Sequence, residues 1–274
     1  MEGADVKMMK ESIVELSAQE LYLQKRKHTR IKVQIIRLLI LVILLALWEI
    51  LTSLGVLNAF LLSSPSRILK SAWQLSLDGS LFYHTGVTLL ETFVSFFLVL
   101  LVGILLAVLL WWNQTLSSIL EPYLVVLNSL PKSALAPVFI VWLGNNVKTV
   151  IVAAVSVAVF GAVITLHTAF METEEEKVKL IYTLGGTKKD VLFKVILPSN
   201  FPAIVSVMKV SIGLSLVGVI IGEFLAANAG LGYLIIYGSQ VFKLDWIMLS
   251  IVILCIVATG LYRVLAFIEK KVKL

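Results

Sequence analysis

Residues 171–202 read METEEEKVKLIYTLGGTKKDVLFKVILPSNFP. This hydrophilic stretch lies between two long apolar runs, Val147–Phe170 and Ala203–Phe224. Each run exceeds the roughly 20 apolar residues that a helix needs to cross a bilayer. The stretch is therefore predicted to be a loop that joins two membrane spans on one side of a membrane.

The loop itself is predicted to form two short helices. Thr173 and Glu176 have the spacing of a capping box, which favours a helix beginning there. Gly185, followed by a second glycine, supplies the left-handed residue that commonly ends a helix. Thr187 begins a second helix, and Pro198 is predicted to end it.

Six apolar stretches along the chain are long enough to span a membrane. The 274 residues are 59% hydrophobic and 15% charged, with a mean hydropathy of +0.99, which excludes an ordinary soluble domain. We therefore predict an all-α integral membrane protein with six transmembrane helices: Ile35–Leu54, Gly86–Leu110, Leu120–Leu143, Val147–Phe170, Ala203–Phe224 and Trp246–Phe267.

The distribution of Lys and Arg predicts the orientation. Basic residues are concentrated in the N-terminal tail (1–33), in the loop (171–200) and at the C-terminal end (271–274), and they are sparse on the other side. Under the positive-inside rule both termini are cytoplasmic, and residues 34–270 form the transmembrane domain of a cell-membrane protein. Ser–Glu spacings in the tail also fit a helix that lies on the inner membrane face. We take this distribution as evidence against nucleic-acid binding by the basic tail.

The first helix of the loop carries an apolar face. Val178, Ile181 and Tyr182 share this face, and Leu180 and Leu184 widen it. A cytoplasmic helix must bury such a face. Its partner is either the chain's own membrane domain or a separate subunit, and spacing alone does not distinguish the two.

The fifth span carries small residues along one face. Ser211, Ser215, Gly218 and Gly222 recur at helical spacing. Such a stripe permits close helix packing, and it could also line a path through the membrane. If it lines a path, we expect Glu223 near the outer mouth.

Two prolines, Pro131 and Pro137, are predicted to break the third span. Backbone carbonyls that lose their helical partner at membrane depth are tolerated where they pack or line a cavity.

Glu91, Lys132 and Lys209 are ionisable residues within apolar stretches, and are functional candidates for that reason. We expect Lys209 to extend towards the inner interface. The sequence shows no residue set typical of a metal site or a nucleophile–base pair.

The chain also contains no phosphate-binding loop. Gly185-Gly186-Thr187-Lys188 has the composition of such a loop but not its spacing. If transport is driven by ATP, the ATPase is a different chain.

Part of the loop resembles the cytoplasmic "EAA" loop of binding-protein-dependent ABC importer permeases. The resemblance is carried by Lys179-Leu180-Ile181, Gly185 four positions after Ile181, and Val195-Ile196-Leu197-Pro198. The family's Glu-Ala-Ala triplet is replaced by Lys179-Leu180-Ile181, with acidic residues nearby at Glu174–Glu176. The resemblance implies that the ATPase is contacted by Glu176, Lys179, Leu180, Ile181, Gly185, Leu197 and Pro198.

Three further stretches resemble the nitrate, sulfonate and taurine branch of that family: Ser64-Pro65-Ser66; Pro131, Ala134, Pro137, Trp142 and Gly144; and Glu223, Asn228, Gly230, Leu231 and Gly232. The resemblance implies the type I (MetI-like) importer fold, a second permease copy, two ATPase subunits that bind ATP and Mg²⁺, and an extracytoplasmic binding protein. It implies no cofactor or metal in this chain.

The resemblance leaves the solute open. The branch often has arginine where Glu91 and Asn128 stand, which favours a neutral or cationic organic solute such as a heterocyclic vitamin precursor. Both positions could instead only hold helices together, and a permease for nitrate, sulfonate or taurine is the alternative. A transporter or channel that works without an ATPase is the competing class, but the chain lacks the internal repeat common in such proteins.

We predict a translocation path formed by Asn128, Pro131, Ser211, Ser215, Gly218 and Glu223.

Overall fold

The computed structural model describes the backbone of residues 2–272, and the side chains of residues 22, 23, 26, 29, 31–58, 60 and 62–270. Within residues 2–272 every regular element is a helix. In chain order the helices are α1 Glu2–Ser53, α2 Ala59–Leu62, α3 Pro65–Leu77, α4 Ser80–Trp112, α5 Gln114–Ser129, α6 Lys132–Leu143, α7 Val147–Met171, α8 Glu175–Thr183, α9 Lys188–Val191, a π-helical turn Leu192–Ile196, α10 Leu197–Ser199, α11 Phe201–Ala226, α12 Leu231–Gln240 and α13 Leu244–Val272.

The chain divides into two compact units, Met1–Ser66 and Arg67–Leu274. In the first unit α1 is one continuous helix, and its apolar part, Ile31–Ser53, is long enough to cross a membrane. The predicted tail is thus helical over residues 2–33, and its place on the membrane face stays a prediction.

The Ser64-Pro65-Ser66 element forms the start of α3. Pro65 is the first residue of α3, where its missing N–H is not needed. The Glu49 carboxylate accepts hydrogen bonds from the Ser66 backbone N–H (3.0 Å) and the Ser66 hydroxyl (2.8 Å). Glu49 thereby places negative charge at the N-terminus of α3, where the helix dipole favours it.

In the second unit α7 packs against both α4 and α11. Leu166 and Phe170 of α7 are buried with Val99 of α4 and Val207 of α11 in one apolar cluster. Small residues bring the helices close, as where Gly103 faces the Ala162 side chain. This three-helix core positions the loop on one side and the α11–α12 turn on the other.

Helices α12 and α13 pack on α11 through a separate apolar cluster that includes Leu216, Leu231 and Leu254. Near the opposite end of α13, Lys209 of α11 forms an ion pair with Glu269 at 2.6 Å. The Lys209 ammonium thus has an anionic partner on α13, and its extension towards the inner interface stays a prediction.

The prediction of an all-α membrane protein is confirmed. The described residues contain five helical segments long and apolar enough to cross a membrane, and the pair α5–α6 makes a sixth if it counts as one bent span. The pair is bent by 96°.

The break lies at Leu130 and Pro131, as predicted for Pro131. The predicted break at Pro137 is wrong. Pro137 lies inside α6, which continues to Leu143. Losing one backbone donor there does not end the helix.

Candidate functional site

The first short helix of the loop ends as the sequence predicts. Gly185 has φ +78°, a left-handed conformation that suits glycine. The Gly186 N–H donates to the Ile181 carbonyl at 2.8 Å. A Cβ on Gly186 would lie 2.5 Å from the Ile181 side chain, so both glycines are needed to close this turn.

The predicted capping box at Thr173 and Glu176 does not form. Glu174 is the residue before α8, and no side chain caps the helix start. The Thr173 hydroxyl instead accepts a hydrogen bond from the Asn200 side chain at 2.7 Å, which links the two ends of the loop. Glu176 lies exposed in the first turn of α8.

Helix α8 divides its apolar residues between two directions. Val178 and Ile181 pack against an apolar cluster to which α4, α7, α9, the π-helical turn and α11 contribute. Leu180, Tyr182 and Leu184 are 58%, 48% and 75% exposed. The spacing predicted that Tyr182 shares the buried face with Val178 and Ile181. This prediction is wrong, because the Tyr182 side chain is exposed. The helix is anchored to its own membrane domain and also presents apolar side chains outwards.

The second short helix is fixed by polar contacts. Thr187 and Asp190 form a reciprocal capping box, and Lys194 contacts Asp190 at 2.7 Å. The Lys194 hydrogen bond and the Thr187 donors hold the pKa of Asp190 well below its ordinary value. The Lys188 ammonium donates to the Trp112 carbonyl at 2.6 Å, at the end of α4. Lys179, by contrast, pairs with Glu175 of its own helix, at 3.1 Å.

The prediction that Pro198 ends the second helix is wrong. The helical path continues through the π-helical turn Leu192–Ile196 and α10, and it is interrupted only at Asn200. A widened turn is one way to accommodate a proline ring that would clash with a carbonyl in an α-turn. Leu197, just before the proline, packs partly buried against the same core as Val178.

Lys132 has a structural explanation at the break between α5 and α6. Its ammonium donates to the Leu127 carbonyl at 2.9 Å and also to the Asn128 carbonyl. These carbonyls lie at the C-terminus of α5, where a cation is favourable. The Asn128 side chain points towards α7, because a Cβ built on Gly161 would lie 3.5 Å from its Oδ1.

The small-residue stripe of α11 divides into two parts. Gly218 and Gly222 are in tight contact with α7, and a Cβ on Gly218 would lie 2.5 Å from the Ala154 Cα. Ser211 instead lines a cavity of about 190 Å³ between α7 and α11, together with Gly161 and Thr165. Ser215, between these parts, is fully buried.

Glu223 ties three helices together. Its carboxylate accepts hydrogen bonds from the Thr88 hydroxyl of α4 (2.7 Å) and the Gly232 N–H of α12 (2.5 Å). Gly230 and Gly232 lie so close to this carboxyl that a Cβ on either would collide with it. The glycines of the Glu…Asn-x-Gly-Leu-Gly element thus make room for the glutamate. Whether Glu223 also contacts a solute stays a prediction.

Sequence reasoning missed the α4 partners of this turn. Thr88 accepts from the Leu231 N–H at 2.8 Å, and His84 Nδ1 accepts from the Gly230 N–H at 3.0 Å. Both residues lie more than 130 positions from Glu223 or its turn, and no local pattern pairs them. The only available signal was their spacing on α4, where His84 and Thr88 lie two turns and one turn before Glu91.

Glu91 lies next to this turn and is 1% exposed. Its carboxyl lies beside that of Glu223. It also lines a cavity of about 350 Å³ with Tyr83, Asn145 and Asn228. The cavity and the loop lie at opposite ends of α7, since Asn145 precedes that helix and residue 172 follows it.

These features define a multi-pass helical membrane protein with an anchored loop helix at one end and two cavities among its helices. Residues 99–272 match the family described as the binding-protein-dependent transport system inner membrane component. The match covers more than half of the chain, and the chain belongs to this family.

Curated relatives agree with the assignment. The chain is 30% identical to the formylaminopyrimidine transport permease protein ThiX of Halalkalibacterium halodurans, over 71% of this chain and 77% of that protein. It is 26% identical to the riboflavin transport system permease protein RibX of Chloroflexus aurantiacus, over 84% and 86% of the two chains. It is 23% identical to the taurine transport system permease protein TauC of Escherichia coli, over 80% and 81%. The chain is thus an inner-membrane permease component of an ABC importer for a small solute.

A solved structure shows the same fold. The inward-facing MetNI methionine ABC transporter matches 68% of this chain and 93% of the matched chain, with a TM-score of 0.61 and 22% identity. The predicted type I importer fold is confirmed.

Proposed function

We propose that the exposed face of α8 docks onto an ATPase subunit, and that the chain carries a small organic solute delivered by an extracytoplasmic binding protein. The observation that supports docking is the division of α8: Val178 and Ile181 anchor the helix, while Leu180, Tyr182 and Leu184 remain exposed. A cytoplasmic helix with three exposed apolar side chains is suited to a protein partner. Glu176, Lys179, Gly185, Leu197 and Pro198 then shape or flank the contact.

The proposed assembly contains two copies of this chain and two ATPase subunits, which bind ATP and Mg²⁺ and carry out hydrolysis. Both termini and the loop (171–200) face the cytoplasm, and the 350 Å³ cavity faces outwards. The positive-inside distribution of Lys and Arg supports this orientation.

The proposed path runs past Ser211 and Asn128. Ser211 lines the 190 Å³ cavity, and Asn128 reaches Gly161, another lining residue, from the bend at Pro131. Ser215 continues this face, whereas Gly218 and Glu223 hold the helices that frame it. A path here connects the loop end of α11 with the middle of the membrane domain.

The docking proposal is tested by co-purification with the cognate ATPase. The double variant Leu180→Asp and Leu184→Asp places two charges on the exposed face without touching Val178 or Ile181. We expect loss of the co-purified ATPase and of solute uptake, with unchanged membrane insertion.

Leu69→Asp is the matched control, because Leu69 on α3 is 73% exposed and lies outside the loop. It should leave ATPase co-purification unchanged. Normal ATPase binding by the α8 double variant would show that this face is not the docking surface.

A further inference from the structure

The cavity beside Glu91 has the size and position of a ligand site. Its volume of about 350 Å³ lies in the lower part of the range for small-molecule pockets, roughly 300–1,000 Å³. Tyr83, Asn145 and Asn228 are exposed at its rim, whereas Glu91 is 1% exposed. A solute entering from the surface therefore meets a buried carboxyl group.

One oxygen of the Glu91 carboxyl lacks the contacts that satisfy its neighbour, although the carboxyls of Glu91 and Glu223 also share a hydrogen bond. The oxygens of Glu223 receive hydrogen bonds from Thr88 and Gly232. Oε2 of Glu91 is buried and receives none from any described group. Among the described residues that line the cavity, none is a lysine or arginine. A buried carboxyl oxygen without a donor is costly, and an incoming cation would supply both a donor and a counter-ion.

The surrounding groups also favour a cation. The last carbonyls of α11, ending at Ala226, lie at this cavity and form the negative end of that helix dipole. The Tyr83 ring can contact a cation through its π face. The start of α7 brings positive character and the exposed Lys148 nearby, but Lys148 does not line the cavity, and the Asn146 side chain already accepts from the Lys148 and Thr149 N–H groups.

We propose that this cavity binds a small organic cation, such as a protonated amine on a ring, with the Glu91 carboxylate as its counter-ion. Asn145 and Asn228 provide hydrogen-bond partners at the rim. An anionic solute would be placed against the buried Glu91 carboxyl, with the Glu223 carboxyl behind it, and is rejected. The solute carried by the permease is then of the cationic class, a step that rests on the proposed function.

The test compares three probes of nearly equal shape and different charge: benzylammonium, benzyl alcohol and benzoate. Binding to the purified full chain in nanodiscs is followed by saturation-transfer NMR. We expect benzylammonium to bind best and benzoate not to bind. Glu91→Gln keeps the shape and removes the charge, and should weaken benzylammonium binding by about tenfold or more.

Two further variants make the result specific. Glu121→Gln removes an exposed carboxylate on α5 and should leave binding unchanged. Val87→Phe fills the cavity and should abolish binding of benzylammonium, with the unfolding midpoint measured in parallel. Equal binding of the three probes, no binding by any of them, or full benzylammonium binding by Glu91→Gln would each overturn the proposal. The alternative is that a proton shared between Glu91 and Glu223 neutralises the pair, so that no cation is needed. This alternative predicts equal binding of the three probes.

This test is separable from that of the proposed function. If the chain co-purifies with its ATPase through α8 but shows no charge preference in the cavity, the cation proposal fails and the importer mechanism stands. If Glu91-dependent binding is seen while the α8 variants retain the ATPase, the cation site stands and the docking proposal fails.

Discussion

At the residue scale, one hydroxyl joins three helices. Thr88 Oγ1 on α4 donates to Glu223 Oε1 of α11 and accepts from the Leu231 N–H at the start of α12. Removing the hydroxyl leaves a buried donor and a buried acceptor each short of a partner. A buried donor or acceptor that is left without a hydrogen-bond partner costs about 1–3 kcal/mol of stability.

Thr88→Val is therefore expected to lower the free energy of unfolding by about 1–3 kcal/mol. Thr92→Val is the matched control, since Thr92 is equally buried one turn further along α4 and its hydroxyl donates to the Thr88 carbonyl of the same helix. The denaturant midpoints of both variants in detergent provide the measurement. Equal midpoint shifts would mean that the contact with Glu223 contributes nothing to stability.

The same turn shows what sequence could predict at this scale. The Glu…Asn-x-Gly-Leu-Gly element was recognisable, and so was the need for glycine at Gly185. The reason for Gly230 and Gly232 was not, because the group that excludes a Cβ is the carboxyl of Glu223, seven and nine positions earlier. Pairing Glu223 with Thr88 needs the packed arrangement of α4 and α11, which no local pattern contains.

At the scale of elements, α7 and α11 approach closely because Gly218 has no side chain. A Cβ there would lie 2.5 Å from the Ala154 Cα, so one of the backbones must move. Gly213 lies on the same helix five residues earlier, and a Cβ there would meet nothing within 4 Å. Replacing each glycine by alanine therefore distinguishes two effects: at Gly218 the change alters helix packing, and at Gly213 it alters helix propensity alone.

Gly218→Ala is expected to destabilise the protein by about 1–3 kcal/mol through overpacking. Gly213→Ala should be neutral or stabilising, by up to about 1 kcal/mol, because alanine is the better helix former. Thermal unfolding of the two variants in the same detergent gives opposite shifts. A stable Gly218→Ala protein would contradict the close contact of α7 with α11.

The two serines of the stripe are expected to respond differently to a bulky residue. Ser211 is also buried, but it lines the 190 Å³ cavity, so Ser211→Phe has space to fill and should stop uptake with a smaller loss of stability than Ser215→Phe. Ser215 is fully buried, and Ser215→Phe should mainly lower stability, by about 1–3 kcal/mol or more. Uptake and unfolding are measured on both variants. Undiminished uptake by Ser211→Phe would remove this cavity from the path.

Element boundaries followed from the sequence wherever a residue acts on its own backbone. Apolar length predicted the spans, Gly185 predicted the end of α8, and Pro131 predicted the bend. The failures came where tertiary contacts compete with local preference: Asn200 draws Thr173 away from a capping role, and α6 continues through Pro137. Tyr182 was assigned to the wrong face because spacing alone does not define how α8 is rotated on the core.

At the scale of the whole molecule, α7 separates two chemically different ends. The helix has 25 residues, about 37 Å of α-helix, which is enough to cross the hydrocarbon core of a bilayer. The loop at its C-terminal end is rich in Lys and presents the exposed face of α8. The other end carries the Glu91 cavity and the turn held by Glu223. The importer proposed above needs this division, because in it solute enters at the cavity end and ATP acts at the loop end.

The orientation of this division is the last prediction. With Cys255 replaced by serine, Lys148→Cys and Lys189→Cys place one exposed thiol at each end of α7. Because Lys and Arg favour the cytoplasmic side, we expect an impermeant thiol reagent applied to intact cells to label Lys148→Cys only. Both variants should be labelled after the cells are opened, which controls for accessibility. Labelling of Lys189→Cys from outside would reverse the orientation and would place α8 where no ATPase can reach it, so the docking proposal would fail as well. The cation site would then open towards the cytoplasm, and binding from the outside could no longer be its role.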